Sequence, residues 1–487
     1  VLAGMLHGLE QGFDPGPPIV GNAYEQTEIR TLYWREAIAF HGQRVHPRTV
    51  RHLVPAHLRP AEAQGDAQLL YRGDHLEYAT GICALKGRQR FDVVVLGGGL
   101  TGLSAALELA QHGFKVAVLE AQHIGWGASG RSGGQAIFGY GCDQAKITTM
   151  LGIADSRRLF DWSLEGLDLI RQRIRQFRID CDWRDGHAHV PIKQRQVDEL
   201  QHWQRDLEDN FDYPTEWWER DRLRSEVATD RYLGALVDMR SGHLHPLNYT
   251  LGLARAAVAC GVHIFEQSPV TRLARSAKPI MHTALGEIEA DFAVLAGNAY
   301  VHGIAPELDG RIMPVGTYIG ATEVLGAERA AALIRQNIAV ADINWALDYF
   351  RLSSDHRLLF GGRASYSTLE PLNLRATMQS RMTRVFPQLQ GTRLEYVWGG
   401  YVDISLNRAP HWGRITPNIY FAQGFSGHGI AATGLAGRVI AESIRGQSSR
   451  LDVYAKIPHH PFPGGRTFRT PMLVAAMAWF KMRDALW

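Results

Sequence analysis

The chain has 487 residues, the length of about two or three ordinary domains. With 45% hydrophobic and 21% charged residues it is neither disordered, collagen-like nor coiled-coil. A net charge of +3 is too nearly balanced for charge-driven nucleic-acid binding, so no nucleic-acid partner is expected, while a small charged metabolite remains a suitable one. The 50 glycines exceed the usual share of ~7% and lean the composition toward an enzyme whose loops approach a cofactor. Cys83, Cys142, Cys181 and Cys260 form no C-x-x-C pair, which points away from a zinc ribbon or disulfide framework and toward a reducing compartment. The sequence has no apolar run of membrane-spanning length and no signal-peptide pattern, so a cytoplasmic location without a membrane span is expected.

The chain begins Val1-Leu2-Ala3-Gly4 without an initiator Met, and its start is expected to be processed or a piece of something longer. Residues 1–90 are Pro- and His-rich and weakly periodic, apart from a short helical stretch over Trp34–Phe40. At Phe91 the character changes. Asp92-Val93-Val94-Val95-Leu96 is a continuous β-branched run, as in a strand buried on both faces of a parallel sheet. Three glycines follow, then helical spacing of Leu103, Ala106, Leu107 and Ala110, a stop at Gly113 and a second apolar strand over Lys115–Leu119. Together these make a βαβ unit.

Phe160, Leu164, Leu167, Ile170, Ile174 and Phe177 repeat at helical spacing, with Arg171, Arg173, Arg175 and Arg178 taking much of the opposite face of a long amphipathic helix. The stretch 194–224 carries Trp203, Trp217 and Trp218, which need burial, and reads as a cap or second domain. Helix is expected over Pro246–Ala259, and strands over His263–Glu266 and Phe292–Ala296. Residues 313–366 alternate polar and apolar, as in an antiparallel sheet. Another helix is expected over Ala431–Arg445. No short internal repeat occurs.

The predicted class is α/β, mixed with α+β character: a Rossmann-like dinucleotide-binding domain built from separated segments (91–150, 225–300 and 398–450). An inserted antiparallel-sheet substrate domain (151–224 and 301–397), an N-terminal extension (1–90) and a tail helix (451–487) complete it. The tail from Pro471 to Trp487 is amphipathic and expected to dock on the protein's own core.

Three glycine clusters carry the chemistry. Gly97-Gly98-Gly99-Leu100-Thr101-Gly102 is G-x-G-x-x-G between a buried strand and a helix, and Glu120 closes the next strand. The glycines permit a tight turn and backbone approach to a pyrophosphate over the helix N-terminus, and the acid suits ribose hydroxyls. Gly125-Trp126-Gly127-Ala128-Ser129-Gly130-Arg131-Ser132-Gly133-Gly134-Gln135 is either a flexible surface loop or, from its position after that strand, a segment passing along the pyrophosphate and over a flavin ring. It contains G-x-S-x-G, but no strand leads into it as a nucleophile elbow requires. Gly424-Phe425-Ser426-Gly427-His428-Gly429 lies between a strand and a helix whose N-terminus would stabilise negative charge on a reduced flavin ring. His428 there is flavin-adjacent, either catalytic or structural. His187-Ala188-His189, His243-Leu244-His245 and His459-His460 lack recognised ligand spacing and read as surface or structural histidines, so no metal is expected.

The strings VVVLGGGLTGLSAALELA, GWGASGRSGGQ, SGHLHPLNYTLGLARAA, LDYFRLSSDHRLLFGGR, WGGYVDISLNRAPHWGR and FAQGFSGHGIAATGLAGR occur in order from Phe91 onward. In these the chain resembles the FAD-dependent oxidoreductases of the D-amino-acid oxidase superfamily, specifically the γ-glutamylputrescine oxidase-like branch. The resemblance implies FAD held at Gly97, Gly99, Leu100, Thr101, Gly102, Glu120, Ala121, Gly127, Ala128, Ser129, Gly133, Gly134, Gln135, Val270, Ala296, Gly297, Gly424, Gly427, His428, Gly429 and Ile430. It also implies hydride transfer from an amine α-carbon to the flavin, giving an imine and then an aldehyde, with O2 or a quinone as acceptor. Tyr349, Arg351, Trp398, Tyr401 and His428 are the expected catalytic or pocket residues. Arg351 either holds a distal carboxylate of the substrate or is an exposed strand arginine.

This sequence departs from sarcosine-oxidase-like relatives in two places. They follow the SGHG turn with a carboxylate-binding lysine where this chain has Ile430 and Ala431, which disfavours a small α-amino acid. They also carry a lysine that helps oxygen react, absent from Leu358-Leu359-Phe360-Gly361, which leaves oxidase and dehydrogenase both open. A γ-glutamylated polyamine is the first expectation for substrate. The alternatives are a pipecolate- or proline-like cyclic or N-alkyl amino acid, or a non-catalytic flavin-binding protein. Residues 1–40 resemble the C-terminal tail of glutamine-synthetase-like ligases, without a complete ATP or metal site.

Overall fold

The computed structural model describes residues 83–301, 303–344, 347–362 and 373–463. The expectations for residues 1–82, including the ligase-like segment, and for the tail from Pro471 lie outside them.

The first half runs β1 (Gly87–Leu96), α1 (Leu100–Gln111), β2 (Val116–Leu119), α2 (Ala128–Arg131), β3 (Gln135–Ala136), α3 (Gln144–Leu151), α4 (Ile153–Phe177) and β4 (Arg184–Val190). It continues through α5 (Gln194–Phe211), β5 (Glu216–Glu219), α6 (Arg220–Glu226), β6 (Gly234–His243), α7 (Pro246–Ala259) and β7 (His263–Phe265) to β8 (Arg272–Ala274), β9 (Ile280–His282) and β10 (Gly286–Leu295). Then come α8 (Pro306–Asp309), β11 (Ile312–Thr322), α9 (Ala327–Leu333), β12 (Ala339–Asp342), β13 (Asp348–Leu352), β14 (Leu358–Gly362) and α10 (Leu374–Val385). The last elements are β15 (Leu394–Ser405), β16 (His411–Thr416), β17 (Ile419–Gln423), α11 (Gly429–Ile444) and α12 (Ser449–Ala455).

Two sheets organise these elements. The first has the order β16-β17-β10-β1-β2-β7, with β9 added to β10 and β8 to β9. Its central pairs β10–β1, β1–β2, β2–β7 and β10–β17 are parallel. β1 is buried on both faces, as its unbroken apolar run requires. Val93 and Val95 pack with α1, α4, α7 and α11, while Val94 faces a second cluster with Ala117, Leu119, Ala293 and Leu295. Burying each such side chain stabilises the fold by ~1.5–3 kcal/mol.

The second sheet has the order β15-β11-β14-β13-β12-β4-β6-β3, with β5 on β6. Its pairs are antiparallel except β12–β4. Alternation along β13 and β14 sends Phe350 and Phe360 into a core under α6, α9 and α10. Tyr349 and Leu359, out of phase with them, join Trp398 and Ile319 on the opposite face. The antiparallel sheet expected over 313–366 is therefore present in β11, β13 and β14. β6 and β15 pair within this second sheet, although all of β6 and residues 398–405 of β15 fall in segments expected with the dinucleotide-binding half. Strand pairing is long-range, and the local pattern of either segment is silent about which sheet receives it.

The long helix expected from 160 to 177 is α4, but Arg173 does not stay on the polar face. It is 2% exposed and its Nη2 lies 2.9 Å from Glu108 Oε1 on α1. A carboxylate supplied by another helix lets an arginine turn inward. Trp218 is fully buried, whereas Trp203 and Trp217 are only partly so.

Helices α1 and α11 approach closely because both are small along the contact. Ser104 Oγ donates to Gly434 O at 2.8 Å, and a Cβ at Gly437 would lie 2.5 Å from Ser104 Cβ and 2.6 Å from Ala105 N. Gly437→Val is expected to lower stability by about 1–3 kcal/mol through overpacking, read as an earlier urea midpoint. An unchanged midpoint would mean the two helices separate freely.

Candidate functional site

The first glycine turn leaves the C-terminal end of β1. Gly97 has φ +103° and donates its N–H to Leu119 O at 2.9 Å. A Cβ at Gly102 would overlap the Gly97 carbonyl oxygen, and one at Gly97 would lie 2.7 Å from Ala296 O and 3.2 Å from Gly297 Cα. Gly97, Gly102, Ala296 and Gly297, all expected site residues, are thus brought together. Leu100 and Thr101 are buried in the opening turn of α1, and its N-terminus has neither a side-chain cap from Gly99 nor an acid in its first turn. Its positive end suits an anion. Ser129 Oγ accepts from Leu100 N at 3.0 Å, which ties the second cluster to the first.

Glu120 accepts from Gly98 N at 2.7 Å and from Gln122 N at 2.8 Å. Burial pushes its carboxyl up, and these backbone donors oppose the shift. Ala121 follows it directly in the chain. Val270 is partly buried against the core on the outer face of the first sheet.

The second cluster is a constrained passage and not a flexible surface loop. A Cβ at Gly130 would overlap Gly125 O, and one at Gly134 (φ +77°) would overlap Leu244 O. Leu244 N donates to Gly134 O at 2.9 Å. Gly127 caps the one-turn α2, and Ala128 and Ser129 open it. Residues of the second sheet hold the far end. Arg351 Nε donates to Gly133 O at 2.5 Å, Trp398 Nε1 to Arg131 O at 2.9 Å, and Gln135 Nε2 to Val340 O at 3.2 Å. Tyr349 lays its ring where side chains on Gly133 or Gly361 would otherwise sit.

Two expected pocket residues therefore stand differently from a simple lining. Trp398 is fully buried, and Arg351, at 3% exposure, is not an exposed strand arginine. Arg351 also donates from Nη1 to Leu352 O at 3.0 Å. Tyr401 meets Tyr300 edge to face at 6.1 Å, and Tyr300 meets Trp126 at 5.7 Å.

The third cluster is held from below by Asp403 on β15. Its Oδ2 accepts from Gly424 N and, at 3.2 Å, from Phe425 N, while its backbone oxygen accepts from Ser426 N at 2.9 Å. Burial pushes the Asp403 carboxyl up to about 7 against these donors. Gly424 and Gly427 have φ +79° and +98°, which let the turn reverse into α11. His428 is the N-cap residue of α11, Gly429 begins the helix, and Ile430 is buried. Burial, then Arg408, then His189 bring the His428 imidazole down to about 3, so it is neutral at physiological pH.

The His187/His189 and His243/His245 pairs are structural and inward, whereas His460 of the third pair is exposed. His187 and His243 are fully buried, His243 Nε2 lies 2.7 Å from Asn337 O, and His245 Nδ1 accepts from Asn248 N at 3.1 Å to cap α7. Among the described residues no group of three or more His, Cys, Asp or Glu is arranged to hold a metal ion.

Sequence reasoning missed Asp403 and Arg131. Asp403 shows only as one acid in a strand. Arg131 stood inside the glycine cluster as the only cation between Gly125 and Gln135. It is 7% exposed, lies 4.6 Å over the Trp126 ring, and donates from Nε to Trp126 O at 2.6 Å, while its buried Nη2 has no hydrogen-bond partner. A buried guanidinium with an unused donor suits an anion such as phosphate.

A parallel sheet with a glycine turn into a helix, covered by a second, largely antiparallel sheet, defines a dinucleotide-binding protein. The FAD dependent oxidoreductase (DAO) family model matches residues 92–443, and the chain belongs to this family. It is 43% identical over 396 residues to gamma-glutamylputrescine oxidoreductase of Escherichia coli (strain K12), covering 81% of this chain and 93% of that one. It is 42% identical to a probable oxidoreductase, OrdL, of Haemophilus influenzae, covering 81% and 92%. Glycine oxidase from Geobacillus kaustophilus has the same fold, with TM-score 0.65 at 19% identity over 76% of this chain and 99% of that one. L-proline dehydrogenase from P. horikoshii matches with TM-score 0.63 at 21% identity, over 77% and 98%.

The cofactor is FAD, and the residues present fit it: two helix N-termini without an acid in their first turns, glycines with no room for a Cβ, and the unused Arg131 donor. In Gly99→Val the new side chain meets Ser129 Oγ, which lies 2.7 Å from an ideal Cβ. FAD affinity is expected to fall at least ~10-fold, a loss of about 1.4 kcal/mol, measured as flavin retained after gel filtration. Full flavin retention would remove the turn from the site.

Proposed function

We propose that this enzyme oxidises the amine end of a γ-glutamylated polyamine such as γ-glutamylputrescine, with O2 as electron acceptor. The observation that carries this reading is 43% identity to gamma-glutamylputrescine oxidoreductase across 93% of that protein's length. When bound, FAD supplies the acceptor for a hydride from the amine α-carbon. Hydrolysis of the imine so formed yields an aldehyde and ammonia, and O2 leaves as hydrogen peroxide.

The chain's own part is orientation and electrostatics. Ile430 and Ala431, both buried, follow the third glycine turn, so no cation stands at that point of α11. A small α-amino acid would leave its carboxylate unpaired there, at a cost of several kcal/mol. An extended substrate avoids this cost by carrying its carboxylate elsewhere. The amine must be neutral to release hydride, and a free alkylamine titrates near ~10. Apolar surroundings favour the neutral form, and the uncharged His428 ring adds no formal charge of its own. Tyr349 and Tyr401 are the aromatic walls we assign to the alkyl chain. Arg351 keeps a positioning role, because its Nε is committed to Gly133 O. We assign the first sheet to the cofactor and the second to the substrate. No helix among the described residues is long and apolar enough to cross a membrane. A cytoplasmic location is supported by four free cysteines.

Anaerobic mixing with the FAD-loaded protein tests the substrate. γ-Glutamylputrescine should bleach the flavin band with kcat/KM at least ~10-fold above that of sarcosine, glycine or D-alanine, the effect of one unpaired carboxylate at its lower bound. Faster bleaching by sarcosine would overturn the reading.

A further inference from the structure

Most buried or partly buried arginines of the second sheet and the surrounding helices meet carboxylates. Arg173 reaches Glu108 at 2.9 Å, Arg357 reaches Asp355 at 2.6 Å, Arg381 reaches Asp348 at 2.7 Å and Arg450 reaches Glu165 at 2.7 Å. Arg408, in the turn between β15 and β16, has no such partner among the described residues. Its Nη2 makes a long contact of 3.5 Å to Ser426 O, and its Nε is buried with no hydrogen-bond partner. Burial brings its guanidinium down, and the fields of Cys142 and Asp143 oppose this.

Its backbone is also costly. Arg408 has φ +63°, the left-handed region that an arginine seldom occupies, fixed by Arg408 N donating to Ser405 O at 3.0 Å. Strain of about 1–3 kcal/mol at a non-glycine residue tends to accompany a functional site. The position does place the guanidinium against the third glycine turn. Ser426 belongs to that turn, and Gly141 has room only for hydrogen beside Ser426 Cβ and Arg408 O, at 2.6 and 3.1 Å from an ideal Cβ. Arg408 is the nearby cation that depresses His428, so the two side chains share one electrostatic environment. With His428 neutral, no second formal charge from that ring competes for an anion.

We propose that Arg408 is the carboxylate anchor of the substrate site: a guanidinium, held beside the His428 turn with an unused donor, that takes the carboxylate of an extended amine. This rests on the functional reading above and deepens it. The helix start at Ile430 and Ala431 offers no cation, and Arg408 supplies one from the β15–β16 turn, against Ser426 of the third glycine turn. An amine substrate with its carboxylate several bonds from the reacting carbon satisfies both features. An uncharged acyl amine of similar length satisfies only the apolar part.

The test uses FAD-loaded full-length protein, wild type beside Arg408→Asn and Arg408→Lys, matched for flavin content and melting temperature. Asn tolerates the left-handed backbone, and Lys keeps the charge. Glutarate, a carboxylate that cannot be oxidised here, is titrated against the visible flavin spectrum. Its Kd should rise at least ~10-fold in Arg408→Asn and less in Arg408→Lys, as for loss of one charge-assisted pair. In turnover, the kcat/KM ratio of γ-glutamylputrescine to N-acetylputrescine should fall by a similar factor in Arg408→Asn. Wild type should also bind glutarate at least ~10-fold more tightly than glutaramide, a comparison that needs no variant.

Equal binding of glutarate and glutaramide by wild type, or an unchanged glutarate Kd and substrate ratio in Arg408→Asn, overturns the anchor. Failure of γ-glutamylputrescine to reduce wild-type flavin, with glutarate binding still lost in Arg408→Asn, overturns the substrate reading and leaves the anion site standing.

Discussion

Backbone packed against backbone, at positions where only hydrogen fits, is the constraint on which the site depends. Gly102 lies on the carbonyl of Gly97, Gly130 on that of Gly125, and Gly134 on that of Leu244. A methyl group at any of the three forces the chain apart. The first contact closes the turn from β1 into α1, the second folds the loop after β2 back on itself, and the third joins that loop to the segment after β6. A chain of such backbone contacts therefore runs from the first sheet to the second. Arg351, Trp398 and Gln135 hold its far end by donating hydrogen bonds to main-chain carbonyls.

Electrostatics are arranged around these contacts by leaving charges uncompensated. Most buried guanidiniums here are offset by a carboxylate, as buried ions must be if they are not to cost several kcal/mol. Arg131 and Arg408, beside the glycine clusters, each keep one buried donor without a hydrogen-bond partner. The helix N-termini at Leu100 and Gly429 likewise lack acids in their first turns. Histidines nearby are driven neutral by burial, His189 to about 4 and His428 to about 3. The region thus presents donors and positive potential to an anionic cofactor and a carboxylate-bearing substrate, with Asp403 fixing the third turn from its buried side.

Local sequence made much of this legible. The run Val93-Val94-Val95 specified a strand buried on two faces, and the structure divides those side chains between two clusters. Pro246 to Ala259 is the helix its composition predicts, with Pro in the first turn. The glycine clusters announced themselves because close approach excludes other residue types. What local pattern did not carry was long-range pairing. β6 and β15 have ordinary strand sequences, and their place in the second sheet is decided by partners far away in the chain. Arg173 looked solvent-facing until Glu108 of another helix met it. Asp403, within β15, and Arg408, in the turn after it, are single charged residues whose significance lies in contacts with residues 424–426 that spacing does not reveal.

The central claim is that the three glycine clusters form one FAD site. Backbone hydrogen exchange, compared between FAD-loaded and FAD-stripped protein, tests it most directly. Peptides spanning 97–102, 127–135 and 424–430 should all exchange at least ~10-fold more slowly with FAD bound, as expected for local openings made rarer by a ligand. Protection confined to one cluster, or appearing chiefly outside all three, would contradict the account.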